Sequence, residues 1–411
     1  MSIFEGLLST PQAVRAFEPD SFVAAMLRFE AALARAQGAT GLIPAPAAAL
    51  IVRVCAPANF DAAQIMRDSA RAGSVAIPLV QALKAQVGRS DPQAVAWVHF
   101  GSTSQDAIDT AAALCSAPLL SQLEGDTRQA AGVLIGHAQA HAATPMLART
   151  LMQPASVTSF GLKCAQWAAP LVRSLQRLAA LRAAALAVQL GGAAGTQAQL
   201  RGQGPDLVRR MAQELGLGTP AVPWHTQRDA WVALACEIGV LVGSLGKIAR
   251  DLSLLGQYEV GEVTEPTEPG RGGSSAMPHK RNPVACMVAL AAAQRAPHRV
   301  AAMLGAMPQE HERGLGGWQA ELAEWSGLLM SAHGSACAMA QALPGLQVDV
   351  QRMRANLDRL GAEVPPDIQR EWFDPVLAQP ASTMAVFQAE ALARQLDTID
   401  AGALNNELEG A

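Results

Sequence analysis

Between residues 228 and 258, apolar side chains such as Trp231, Leu234, Ile238, Leu241, Leu245, Ile248, Leu252 and Leu255 return at intervals of three and four. This is the spacing that lines one face of a helix. At 1.5 Å per residue that helix is ~45 Å long, well beyond the usual three or four turns. The same pattern predicts long Ala-rich helices over roughly 110–142, 156–190 and 283–305. Helices of this length cannot cover their apolar stripes alone. An antiparallel bundle does so, and the stripes are wide enough to predict packing between subunits as well. Near the N-terminus, Asp20 or Ser21 is expected to cap a helix carrying Phe22, Ala25, Met26, Phe29, Ala32 and Leu33, and Gly38 to end it. Pro44, Pro46, Pro57, Pro78 and Pro92 cut the rest of the first hundred residues into short pieces. No stretch alternates as a strand would, and no repeat is present. The reading is an all-α chain of three domains: an N-terminal helical domain over 1–109, a central bundle of long helices over 110–346, and a small, polar, proline-bearing helical domain over 347–411.

Composition supports close-packed helices. Half of the 411 residues are apolar but only 4% are aromatic, so the core is built from Ala, Leu and Val. A net charge of -4 indicates neither a nucleic-acid surface nor a polybasic membrane patch at the level of the whole chain. The most apolar stretch, around 230–246, carries Glu237 and has helical periodicity, which predicts a core helix rather than a membrane span. Six scattered cysteines lack Cys-x-x-Cys pairing and lack a nearby His at metal-ligand spacing. They read as small buried residues in a reducing compartment, with no metal site. The first residues show no basic region followed by an apolar run, so the expected location is cytoplasmic.

The chemistry concentrates in 270–283, Gly-Arg-Gly-Gly-Ser-Ser-Ala-Met-Pro-His-Lys-Arg-Asn-Pro. Glycines give the backbone freedom, Pro278 and Pro283 bracket the turn, and two hydroxyls lie beside a cluster of cations. Such a loop fits a substrate rich in carboxylates. Ser274 or Ser275 would handle a proton on carbon, while Lys280 and backbone N–H groups hold the negative charge that develops. The plain alternative is a basic surface linker. A second cluster, His99-Phe100-Gly101-Ser102-Thr103-Ser104-Gln105-Asp106, sets hydroxyls at the start of a helix, where free N–H groups bind carboxylates or the hydroxyls merely cap.

Gly273-Ser274-Ser275-Ala276-Met277-Pro278-His279-Lys280-Arg281-Asn282-Pro283 resembles the signature loop of the fumarase/aspartase superfamily, with every fixed position filled. The hydroxyl cluster and Ala148-Arg149-Thr150-Leu151-Met152-Gln153-Pro154-Ala155 match two further segments of that superfamily in the expected order. Adenylosuccinate lyases carry a His after the Thr of the latter segment. Here it is Leu151, and a hydrocarbon cannot protonate a departing amine. The runs 189–196, 223–229 and 310–318 together resemble the bacterial carboxymuconate cycloisomerase branch.

The resemblance implies a three-domain, fumarase-like fold with the signature loop at 261–283, and a cofactor-free enzyme that adds a carboxylate to a double bond within a small tricarboxylate. It also implies a homotetramer whose sites are shared between subunits. By the same resemblance Ser274 transfers the proton, with Ser275 the second choice, Lys280 steadies the charge and Asn282 braces the loop. Thr103, Ser104, Thr150, Gln153 and Arg313 would grip carboxylates, joined by His225 and Arg228. His99 is either a substrate contact or a core residue beside Trp97 and Phe100. Two other readings stay open: a related lyase acting on another polycarboxylate, because the segment between Gly361 and Phe373 is short for the family, and a scaffold that has lost catalysis.

Overall fold

A computed structural model describes residues 3–409, with side chains through residue 399. Helices dominate. The first long one, α1 (Pro19–Ala39), begins with Pro19, and Glu18 rather than Asp20 or Ser21 takes the cap position, with extended backbone and no side-chain bond. Proline suits this place because a first-turn N–H has no helical partner to lose. Gly38 does not end the helix. It lies inside it, and a Cβ there would come within 2.6 Å of the Ala48 Cβ, so the glycine lets the helix Ala45–Val54 approach closely.

Between residues 104 and 342 run five helices of 23 to 37 residues: α2 (Ser104–Ala140), α3 (Phe160–Ala185), α4 (Asp229–Leu255), α5 (Val284–Ala306) and α6 (Gly317–Ala342). Four of them fall where apolar spacing predicts. The fifth, α6, escapes that reading because its inward positions include Glu321, Ser331, His333 and Ser335, all buried, which blur the apolar stripe. One of these helices, α4, is long and apolar enough to cross a membrane, yet 61% of its most apolar window is buried within the protein.

The expected absence of strands is corrected by a β-hairpin. β1 (Pro145–Thr150) pairs antiparallel with β2 (Gln153–Ser159), and β3 (Val263–Thr264) pairs briefly with β4 (Gln347–Val348). The predicted helix over 156–190 therefore starts later, at Phe160. The hairpin turn consists of Leu151 and Met152, both left-handed at φ 50° and 66°. That geometry normally calls for Asn-Gly, so neither residue signals a turn in the sequence. A bulge between Ala148 and Arg149, and a burial pattern that does not alternate, remove the remaining strand signal.

The chain divides into two compact units, each made of three separate stretches: 1–121, 179–236 and 298–330 in the first, and 122–178, 237–297 and 331–411 in the second. In the first unit the core runs from α1 through the short helices to the start of α2, and an aromatic column of Trp224, Trp231 and Trp325 closes one side. The Trp325 indole N–H donates to the Ser116 hydroxyl at 2.8 Å, which satisfies the polar atom of a ring that is 1% exposed. In the second unit the hairpin packs Leu147 and Val157 against Leu357 of α7 (Val350–Glu363) and against Phe373. Gly161, at the start of α3, abuts the end of α2, where a Cβ would lie 2.5 Å from the Ala138 carbonyl oxygen and 2.6 Å from backbone atoms of Ala142. Backbone cannot yield as a flexible side chain would. Gly161→Ala is therefore expected to cost about 1–3 kcal/mol, read as a lower urea midpoint with an unchanged slope.

Candidate active site

In the first unit the hydroxyl cluster stands at the mouth of α2. Thr103 immediately precedes the helix, and its N–H donates to Asp106 Oδ2 at 3.0 Å, one half of a capping-box arrangement. Ser104 opens the helix, where the free N–H groups of the first turn gather. Arg313 reaches this point from the loop before α6. Its Nη1 donates to the Thr103 hydroxyl at 3.0 Å, and its Nη2 donates to the carbonyls of Gly192 and Ala193, each at 3.0 Å. All of these acceptors are neutral. Among the described residues the guanidinium has no carboxylate partner, so its charge remains available to an anion.

The other basic residues expected here are placed differently. Arg228 is 1% exposed and spent inside the protein. It donates to Asp109 at 2.9 and 3.3 Å and to both oxygens of Glu321, and its guanidinium covers the Trp224 ring at 4.5 Å. Burial works against its charge, but Asp109 and Glu321 overcome that and hold its pKa above the usual value. No donor is left for a substrate. His225 is 3% exposed, and its Nε2 bonds Asp106 Oδ1 at 2.7 Å. His99, at φ 61°, turns its Nδ1 to the buried Glu30 at 2.5 Å. Burial disfavours the imidazolium, but the Glu30 carboxylate prevails and raises the His99 pKa. These three side chains face the protein and not solvent, because each is matched to a buried carboxylate that must be neutralised.

The remaining expected residues lie in the second unit. Thr150 and Gln153 are the last facing pair of the hairpin, so their side chains share one face of the ribbon beside the exposed tip. Arg149 anchors the hairpin by two bonds, 3.0 and 2.7 Å, to Glu262, which is fully buried and also receives the Asn356 amide at 2.9 Å. Within the signature loop, Asn282 clasps the two ends: its N–H donates to the Gly272 carbonyl at 2.8 Å and its side-chain amide to the Gly273 carbonyl at 3.4 Å. Gly272 is left-handed at φ 70°, and a Cβ there would meet the Asn282 carbonyl oxygen at 2.6 Å, so glycine is required.

Inside this clasp the two serines differ. Ser274 Oγ accepts the N–H of Met277 at 3.1 Å and of Ala276 at 3.4 Å. Backbone donors aimed at a hydroxyl oxygen stabilise it as it loses its proton. Lys280 is exposed and has no carboxylate partner among the described residues. A cavity of about 80 Å3 lies between the loop and the end of α4, lined by Leu252, Glu265, Arg271, Gly272, Asn282 and Cys286. At the loop's far end the Glu265 carboxylate accepts the N–H groups of Ala285 and Cys286 and so caps α5. Among the described residues no group of three His, Cys, Asp or Glu is placed to hold a metal ion.

The sequence profile of the Lyase family matches residues 9–297. This chain belongs to that family. It is 48% identical to the 3-carboxy-cis,cis-muconate cycloisomerase of Pseudomonas aeruginosa over 81% of its own length and 72% of the relative's. It is 43% identical to the nitrosuccinate lyase of Streptomyces davaonensis over 87% of its own length and 78% of the relative's. A solved structure of the 3-carboxy-cis,cis-muconate lactonizing enzyme of Pseudomonas putida superposes with a TM-score of 0.82 at 37% identity, covering 97% of this chain and 89% of that one. The all-α, fumarase-like fold expected from the signature loop is thereby shown.

Sequence reading missed the buried carboxylates that hold the basic residues: Asp106, Asp109, Glu321 and Glu30 in the first unit and, separately, Glu262 in the second. Carboxylates look out of place near a polyanion. A signal was nevertheless present, because Asp106 and Asp109 are three apart at a helix start and therefore share one face, while His225 and Arg228 have the same spacing. The pairs Asp106–His225 and Asp109–Arg228 follow from matching the two. Arg228→Met strands Asp109 and Glu321 as buried charges and is expected to cost ~3–5 kcal/mol at neutral pH. Burial already lifts the Glu321 pKa against the pull of Arg228, and removing the arginine lifts it further. A carboxyl whose pKa is raised on folding binds its proton more tightly folded than unfolded. Stability of the variant is thus highest below the ordinary carboxyl range and falls as pH rises through the raised value. Urea unfolding across acid to neutral pH should show the deficit shrinking toward the acid end.

Proposed function

We propose that the protein closes 3-carboxy-cis,cis-muconate to 4-carboxymuconolactone, in the protocatechuate branch of aromatic breakdown. The observation that carries the reaction class is the Ser274 hydroxyl held under two backbone N–H groups in a loop clasped by Asn282. The choice of substrate is supported by relatives of 48% and 46% identity that bear the cycloisomerase name.

One carboxylate of the substrate attacks the carbon that closes the ring, forming a C–O bond. The π pair moves to the adjacent carbon, alpha to a second carboxylate, and that enolate-like carbon takes the proton of Ser274. The serine recovers a proton from solvent, so each turnover consumes one. Lys280 and the loop N–H groups stabilise the alkoxide and the enolate. Arg313, Thr103 and Ser104 hold one carboxylate, and Thr150 and Gln153 another. No metal or organic cofactor is required, since the nucleophile is already ionised and intramolecular. Groups from different subunits of a homotetramer complete each site. A cytoplasmic location accords with six free cysteines, of which Cys115 and Cys286 have thiols pushed by burial up to about 12.

Leu151 favours this reading over an amine-releasing lyase. Carboxylate addition needs no acid for a heteroatom, and a hydrocarbon at the hairpin tip, 97% exposed, provides none. Elimination of an already anionic group has the same requirement, which keeps a succinate-adduct lyase as the second reading. Loss of diene absorbance with 3-carboxy-cis,cis-muconate supports the cycloisomerase. Fumarate release from nitrosuccinate without diene loss supports the lyase, and inactivity toward both supports a scaffold. Ser274→Ala is expected to lower kcat by ~10²-fold or more with an unchanged thermal midpoint, and Ser275→Ala by far less, in a steady-state diene assay. Near-normal turnover in Ser274→Ala would remove that serine from the mechanism.

A further inference from the structure

Two of the three residues that hold Arg313, Thr103 and Gly192, are themselves held by one carboxylate. Asp106, with no exposed surface, accepts four hydrogen bonds: from the Thr103 N–H at 3.0 Å, from the Gly191 and Gly192 N–H groups at 2.9 Å each, and from His225 Nε2 at 2.7 Å. Gly192 is left-handed at φ 70°, and a Cβ there would lie 2.9 Å from the Gly101 carbonyl oxygen. With this turn the N–H groups of Gly191 and Gly192 face Asp106, while the carbonyls of Gly192 and Ala193 receive Arg313. The third contact of Arg313, the Thr103 hydroxyl, belongs to the residue whose N–H is on Asp106.

His225 is fixed in turn. The Gln105 side-chain amide donates to its carbonyl at 2.9 Å, and Gly191 packs against its ring, where a Cβ would come within 2.5 Å of Cε1. A side chain enclosed in this way does not grip substrate, but it does supply the only side-chain donor to Asp106 among the described residues.

We infer that Asp106, locked by His225, is a positioning residue that aims the Arg313 guanidinium and the Thr103 hydroxyl at a substrate carboxylate. The inference rests on the proposed role of Arg313 as a carboxylate grip. Physically, a guanidinium held by neutral oxygens keeps its charge for the ligand but gains little orientation from any one of them. The direction comes from the turn that carries those oxygens, and the turn is set by a carboxylate that takes up both of its N–H groups. A buried carboxylate receiving three backbone donors at a helix start is well compensated, so it can stand near an anion site without cancelling the Arg313 charge.

The experiment is a double-mutant cycle read in KM for 3-carboxy-cis,cis-muconate, with thermal melting of each variant. Asp106→Asn keeps the volume but turns an amide N–H toward backbone donors. It is expected to raise KM about tenfold with a smaller change in kcat, the pattern of lost uniform binding. Partial unfolding alone would lower apparent kcat and leave KM untouched. His225→Phe should raise KM similarly, and His225→Gln, which keeps an N–H donor toward Asp106, should recover most of that loss. In an Arg313→Ala background, Asp106→Asn should have little further effect on KM. Additive effects in the cycle, or an unchanged KM in Asp106→Asn while Arg313→Ala raises it, would overturn the positioning role and leave the proposed function intact. An unchanged KM in Arg313→Ala would overturn both.

Discussion

Two carboxylates shut away from solvent, Asp106 and Asp109, stand on one face of the first two turns of α2, and the need to neutralise them organises the first unit. An ionised carboxylate taken out of water costs several kcal/mol unless its oxygens are filled by donors. Asp106 is filled by backbone N–H groups and His225, and Asp109 by Arg228 and the indole of Trp318 at 2.9 Å. Because those donors come from the loops at 189–192 and 223–228 and from the start of α6, satisfying the two charges draws distant segments of the chain to one helix end.

This arrangement separates two jobs that a basic residue can do. Arg228 lies over Trp224 with both flanks occupied by carboxylates, so it cross-links the unit and presents nothing outward. Arg313 rests on carbonyls and a hydroxyl, which orient it without discharging it. Residue type does not distinguish the two arginines; the charge of their partners does. A polyanion is best met by the second kind, while the first ties the start of α2 to α6.

In the second unit, strain and polarity concentrate where the proposed chemistry lies. The hairpin reverses through two left-handed non-glycine residues, conformations that cost about 1 kcal/mol or more each. It holds that shape through the Arg149 fork onto buried Glu262 and through Leu147 and Val157 packed on α7. The signature loop is built in the opposite way. Its ends are clasped by Asn282 and its far side is pinned by Glu265 on α5, but a cavity of about 80 Å3 lies at its base and His279, Lys280 and Arg281 are exposed. A hairpin fixed in this way and a loop clasped at its ends suit the proposed delivery of the Ser274 proton to carbon.

The sequence by itself determined α2 to α5, because a three-four apolar period along one face is local, and it determined the family through the signature loop, because Gly272, Ser274, Lys280 and Asn282 stand at fixed spacing. It pointed wrongly at Gly38 as a helix end and at Arg228 and His225 as outward cations, since a glycine's packing partner and an arginine's counter-charge lie far away in the chain. The tertiary structure alone decided that Leu151 and Met152 form a turn, that α6 buries polar residues, and that Arg313 rests on a hydroxyl and two carbonyls. In each case the deciding quantity was which partners reach a side chain across long sequence separations, and pairing across the chain leaves no mark on local periodicity.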